Sequence, residues 1–172
     1  MNANQYVVHS RRLSGDSGEL ISFSRQAAGW DWMSFSARRL AAGEVWEVQH
    51  AGEESVHVLL AGMCDVHWGT SHYCIGERKN VFEGLPYALY LAPGERARYT
   101  ARTVCEIAEC HVPAEGGFPS RLLTPKGEHL VAGRRQRFTA DRGCDPSESP
   151  RAAPDRGRGL HAGRKLVQLP TP

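Results

Sequence analysis

The last 32 residues of this 172-residue chain contain no Phe, Trp or Tyr, although the rest of the sequence holds 14 of them. Five of the ten prolines also fall in that stretch, which begins at Asp141. A segment of this composition cannot bury enough apolar surface to offset its ordering entropy, so it is excluded from the core and expected to be disordered. Long apolar runs are missing too. Nothing approaches the roughly 18 residues of a membrane helix, and the opening "MNANQYVVHSRR" has no signal-peptide apolar region. The five cysteines are odd in number and show no CxxC spacing, which argues for reduced thiols packed in strands rather than a disulfide framework or a zinc knuckle. Residues 1–140 hold 15 Lys/Arg against 15 Asp/Glu, and residues 141–172 hold 6 against 4. A neutral body gives no electrostatic reason to expect nucleic acid, and six basic residues without aromatics would give the tail only salt-sensitive, non-specific contact. The expectation is a soluble, cytoplasmic protein with no nucleic-acid or membrane partner.

What is present is period-two alternation. "ELISFSRQ", "MSFSARRL", "VWEVQH", "SVHVLLAG", "HYCIG", "YALYLAPG", "RARYTAR" and "VCEIAECHV" are short runs rich in Val, Tyr, Phe and Trp, separated by Gly- or Pro-bearing turns. This pattern predicts an all-β, antiparallel sandwich or barrel over residues 18–112. Strands are expected near 20–26, 33–40, 44–50, 55–62, 71–75, 86–91, 95–101 and 104–111. The Gly/Pro-punctuated residues 113–140 read as a connecting strap, and 141–172 as the disordered tail.

No self-sufficient active site emerges from spacing. His50 and His57 lie seven residues apart, which is not chelating spacing, and read as ordinary hydrogen-bonded or exposed histidines. Cys110 and His111 are neighbours on a strand and point to opposite faces, so they are poorly placed as nucleophile and base. The carboxylate pairs Glu53–Glu54 and Glu106/Glu109 are expected to face solvent. No catalytic residue and no metal ligand is assigned, and substrate contacts stay unassigned.

The stretch "GEVWEVQHAGEESVHVLLAG" resembles the first half of a cupin, a small jelly-roll barrel. The resemblance implies metal-binding histidines near Gln49 and Ala51, a glutamate near Glu54, a glycine at Gly62 and a last histidine near Ala97. Gly43 and Gly62 are retained, as is Glu54, but Gln49, Ala51 and Ala97 cannot act as imidazole ligands.

"AGWDWMSFSARRLAAGE", "VHVLLAGMCDV", "IGERKNVFEGLPYALYLAPG" and "GGFPSRLLTP" together resemble the N-terminal half of the 5-deoxy-glucuronate isomerase family. The likeness implies one half of a bicupin. It also implies an aldose–ketose isomerase of inositol catabolism, converting 5-deoxy-glucuronate to 5-dehydro-2-deoxy-gluconate. A small sugar acid is the implied partner, and an oligomer is compatible with it. The family's divalent metal, zinc by expectation, is held by histidines of the second half. None is therefore expected in this chain, whose activity is doubtful on that ground. The alternative from another class is a non-catalytic cupin-half module for sugar binding or assembly.

The family's second half opens with a segment like Gly-Gly-Asn-Trp-Ser-Ser-Tyr-Pro-Pro-His-Lys-His. Codons read from the second base of one residue to the first of the next let Lys165–Pro172 and a TAA stop encode Asn-Trp-Ser-Ser-Tyr-Pro-Pro-His. Leu160–Arg164, with the first base of Lys165, permit Phe-Thr-Pro-Gly-Gly. The tail is thus expected to be out-of-frame text beginning between Arg137 and Cys144, against the alternative of a native, unrelated disordered tail.

Overall fold

A computed structural model describes residues 17–127 and 129–131, preceded by His9, Ser10, Arg11, Leu13 and Gly15. The expectations for residues 141–172, and for the strap beyond Val131, lie outside the described residues. The alternating runs form β1 (Gly18–Phe23), β2 (Ser34–Leu40), β3 (Val45–Gln49), β4 (Glu53–Trp68), β5 (Ser71–Arg78), β6 (Ala88–Leu91), β7 (Arg96–Ala101) and β8 (Cys105–Pro113). Two short strands follow, β9 (Arg121–Leu123) and β10 (His129–Val131). One helical turn, α1 (Arg25–Ala28), separates β1 from β2, its first residues capped by the Ser24 hydroxyl, which accepts from the Ala27 N–H.

All pairings are antiparallel. One sheet runs β1-β2-β8-β4-β6-β9-β10, and the other runs β3-β7-β4-β5. β4 belongs to both. Its first part lies between β8 and β6, and its second part between β7 and β5. Strands β2-β8-β4-β6 stacked on β3-β7-β4-β5 make a cupin-type jelly roll, with one long strand turning the corner between sheets.

The corner explains Gly62. Register slips between Gly62 and Met63, and Gly62 takes φ +87°, a left-handed value that favours glycine. A Cβ there would stand 2.3 Å from the Val104 carbonyl oxygen. Where the alternation suggested a strand ending near Gly62, the bulge bends a single strand that runs on to Trp68.

The core gathers Leu40, Leu59, Val66, Trp68, Ile75, Leu89, Leu91, Tyr99 and Ile107 around buried Cys64 and Cys105. Burial on this scale supplies the main drive for folding. Residues after Val112 do not simply leave the barrel. β9 pairs with β6 and β10 with β9, so the expected strap extends the sheet and places Leu122 in the core. Cys64, Cys105 and Cys110 are free thiols, as expected.

Candidate functional site

The inner face of the β2–β8–β4 sheet changes character along its length. Leu40 pairs with Cys105, and Arg38 and Leu59 flank Ile107. Two residues further along β8, Ser36 and His57 flank Glu109, and beyond that Ser34 and Ser55 flank His111. Because side chains alternate with period two, these ranks share one face. Arg38 stands at the boundary, its guanidinium 4.3 Å above the Trp46 ring.

Glu109 is the hub. It is only 6% exposed, against the expectation that it faces solvent. The Ser36 hydroxyl donates to its Oε2 (3.1 Å) and His50 Nε2 lies 2.6 Å from its Oε1. His57 Nε2 is 3.4 Å from the same oxygen. Burial by itself would raise the Glu109 pKa, but the hydrogen bonds from His57 and His50 outweigh it and hold the carboxyl down at about 2. Glu109 is therefore an ionised acceptor, and both histidines turn an N–H towards it.

His57 is 2% exposed and is kept neutral, chiefly by burial. Its Nδ1 lies 2.8 Å from the Tyr99 hydroxyl and its Nε2 3.0 Å from Ser55 Oγ. Burial also raises the Tyr99 pKa well above its usual value, so the phenol donates to Nδ1 and His57 donates from Nε2. Spacing suggested an ordinary hydrogen-bonded histidine. For His57 that holds.

His50 differs. It stands past the end of β3, its ring stacked on that of His111 at 4.4 Å between centroids. His111 Nδ1 is 2.7 Å from Glu53 Oε2, and His50 Nδ1 is 3.8 Å from the same oxygen. Arg25, from the helical turn, lies 3.6 Å from Glu53 Oε1. His50, Glu53 and His111 form a group able to hold a metal ion, with one ligand atom from each lying within 4.8 Å of the others.

The positions that the cupin pattern implied do not fit a metal. Gln49 donates to the Gly94 carbonyl, Ala51 is exposed and Ala97 is fully buried in the core. Glu54 accepts from the Tyr90 hydroxyl at 2.7 Å. The sequence reading missed Glu53, Glu109 and His111 as members of one cluster. A signal for two of them was available. Cys105 and Ile107 are the apolar residues of β8's inner face, and continuing their parity leads to Glu109 and His111, while Glu106 falls outside and pairs with Arg39.

The KduI/IolB family model matches residues 7–136. A 5-deoxy-glucuronate isomerase of Geobacillus thermodenitrificans is 30% identical over 124 residues, which is 71% of this chain and 45% of the relative. A second, from Geobacillus kaustophilus, is 29% identical over 112 residues, 64% of this chain and 41% of the relative. Among solved structures, an IolB-like protein of Salmonella typhimurium LT2 superposes with a TM-score of 0.63 at 33% identity, covering 70% of this chain and 47% of that one. The chain thus spans under half the length of the relatives it matches. Its jelly roll and the family match cover the same residues, and on these grounds the chain belongs to the KduI/IolB family.

Proposed function

We propose that this chain is the first half of a sugar-acid isomerase, converting 5-deoxy-glucuronate to 5-dehydro-2-deoxy-gluconate, and that it does not turn over without the second half. The observation that carries the reading is the match to two relatives named as 5-deoxy-glucuronate isomerases, each along less than half of its length. Aldose–ketose isomerisation moves a proton between adjacent carbons. It needs a base near the carbon acid and an electrophile to stabilise the enediolate, the part a bound divalent metal plays.

The described half supplies neither in an open site. Glu109, its buried ionised carboxylate, is enclosed by Ser36, His50 and His57. An open depression of about 550 Å³, lined by Arg39, Gly62, Arg78, Val104 and Glu106 among others, shares no residue with that cluster. The reading includes a cytoplasmic setting, supported by the free thiols of Cys64, Cys105 and Cys110, and excludes nucleic acid and membrane as partners. Among the described residues no helix is long and apolar enough to cross a membrane.

A second reading, a non-catalytic assembly module, is favoured by one feature. Val81, Phe82 and Leu85 are exposed on the loop after β5, as is Val104 before β8, and such surface marks association. The test compares the 172-residue chain with one whose frame is restored near the codons for Thr139–Gly143, both supplied with zinc and 5-deoxy-glucuronate. Ketose formation by the restored chain alone supports the isomerase reading. Turnover by the 172-residue chain sinks the requirement for a second half, and a folded but inactive restored chain leaves the assembly module. Codons incompatible with Asn-Trp-Ser-Ser-Tyr-Pro-Pro in the shifted frame sink the out-of-frame account of the tail.

A further inference from the structure

The strand register brings two imidazoles and a carboxylate to one place, backed by a second, buried carboxylate. We propose that His50, Glu53 and His111 bind one divalent transition-metal ion in this half of the molecule, with Glu109 as the residue that orients His50. The inference is independent of the isomerase reading and concerns side chains that the cupin pattern does not use.

The donor atoms are near the required spacing. Metal–ligand bonds of about 2.0–2.1 Å in a tetrahedral site put ligand atoms about 3.3 Å apart. Here Glu53 Oε2 is 2.7 Å from His111 Nδ1 and 3.8 Å from His50 Nδ1, so shifts of about half an ångström suffice for those two edges. Tautomers point the same way. In the neutral form, His50 gives its Nε2 hydrogen to Glu109, which leaves a lone pair on Nδ1 on the side of the Glu53 oxygen. A lone pair and a carboxylate oxygen repel each other, and a cation between them removes the repulsion. A histidine whose far nitrogen is held by a buried carboxylate is the usual outer support of a metal ligand.

His111 Nδ1 now donates to Glu53. Binding displaces that proton, which passes to Nε2 or to solvent, so no other reactant is needed. The two rings lie 8° from parallel, and one ion cannot occupy both ring planes. His50 is fixed by Glu109, whereas His111 sits half-buried near the strand end. Loading therefore turns the His111 ring. The charge balance is favourable. Arg25 compensates one of the two carboxylates, leaving about one negative charge for the ion to meet. Two imidazoles with one carboxylate suit zinc, cobalt or nickel, while calcium and magnesium require oxygen ligands.

A rival chelator exists on the surface, where His67 and His72 stack at 4.0 Å beside Asp65. It provides the control. The full chain, stripped of metal, is titrated with Zn²⁺ against a chromogenic chelator, and Co²⁺ binding is followed by its visible bands. We expect one ion per chain with nitrogen-ligand Co²⁺ bands. His111→Gln and Glu53→Gln, both near the cluster mouth, should each weaken binding at least ~10-fold while the far-UV spectrum stays that of the native chain. Glu109→Gln should weaken it about 10–100-fold and shift the Co²⁺ bands, a change that lost packing alone does not produce. The His67→Ala/His72→Ala double variant should bind as the unmodified chain does. The proposal is overturned if the unmodified chain holds no ion, if folded His111→Gln and Glu53→Gln variants bind normally, or if only the surface variant loses the ion.

Discussion

Along the inner face of the β2–β8–β4 sheet, two neighbouring patches are built from the same strands and do opposite work. Leu40, Leu59, Cys105 and Ile107 form an apolar patch in the core, which drives folding without regard to direction. Ser36, His57 and Glu109, next along the same strands, form a buried polar patch in which each group depends on a specific partner. In the first, any side chain of suitable size and hydrophobicity serves. In the second, one missing atom leaves a buried group unpaired.

Substitutions can break this comparison, and the largest effect is expected where β4 passes between the sheets. Gly62→Ala forces a Cβ towards the Val104 carbonyl at a left-handed φ, and should cost on the order of 3–5 kcal/mol. Denaturant unfolding, or failure to recover folded chain, would show it, and a wild-type midpoint would refute the account of the corner. Next, Leu59→Ala in the apolar patch should cost about 2–5 kcal/mol and leave the hydrogen bonds around Glu109 in place. Those bonds are readable as slowly exchanging or downfield imidazole protons in NMR. Loss of these signals would mean that the two patches are one cooperative unit.

In the polar patch, Glu109→Gln keeps the volume but removes the charge that His50, His57 and Ser36 donate to, for an expected loss of about 1–3 kcal/mol. The patch also has a pH signature. His57 is held below its ordinary pKa, so below about pH 6.5 the unfolded chain binds more protons than the folded one. This contribution to stability is complete above that pH and is lost as pH falls. The slope is at most about 1.4 kcal/mol per pH unit and is softened by Glu109 beside the ring, while His50 and His111 oppose a further charge. Unfolding midpoints of the metal-free chain between pH 7.5 and 5.5 should fall, and fall less for His57→Gln. Equal slopes would assign the effect elsewhere. The smallest change expected is Phe82→Ser. Its ring is 93% exposed, so chain stability should move by no more than about 0.5 kcal/mol, while any association through this loop should weaken in sedimentation.

The alternation in "SVHVLL" or "VCEIAECHV" announces which residues share a face, and the apolar members announce which face is inside. That much places His57 and Glu109 indoors once Leu59 and Ile107 are taken as core. It does not say what stands opposite. His50 and His111 are 61 positions apart, and Glu53 and Glu54 look alike on paper, yet one joins the two histidines and the other bonds Tyr90. Position 49 shows the same limit: the cupin pattern points to it, yet Gln49 bonds the Gly94 carbonyl, whereas the strand end brings His50 to Glu109.

By itself, the sequence determined an all-β chain with a neutral body and strands whose period-two pattern can bury one face. Local chemistry suffices for that, since alternation, turn residues and composition act over a few positions. Only the tertiary structure decided that β4 would run unbroken through two sheets, that β9 and β10 would extend one of them, and that two histidines and two glutamates would meet. Those outcomes depend on strand register, and register is a property of pairs of strands. A slip of one residue between β4 and β8 would put Glu109 on the outside and leave His50 and His57 with no carboxylate between them.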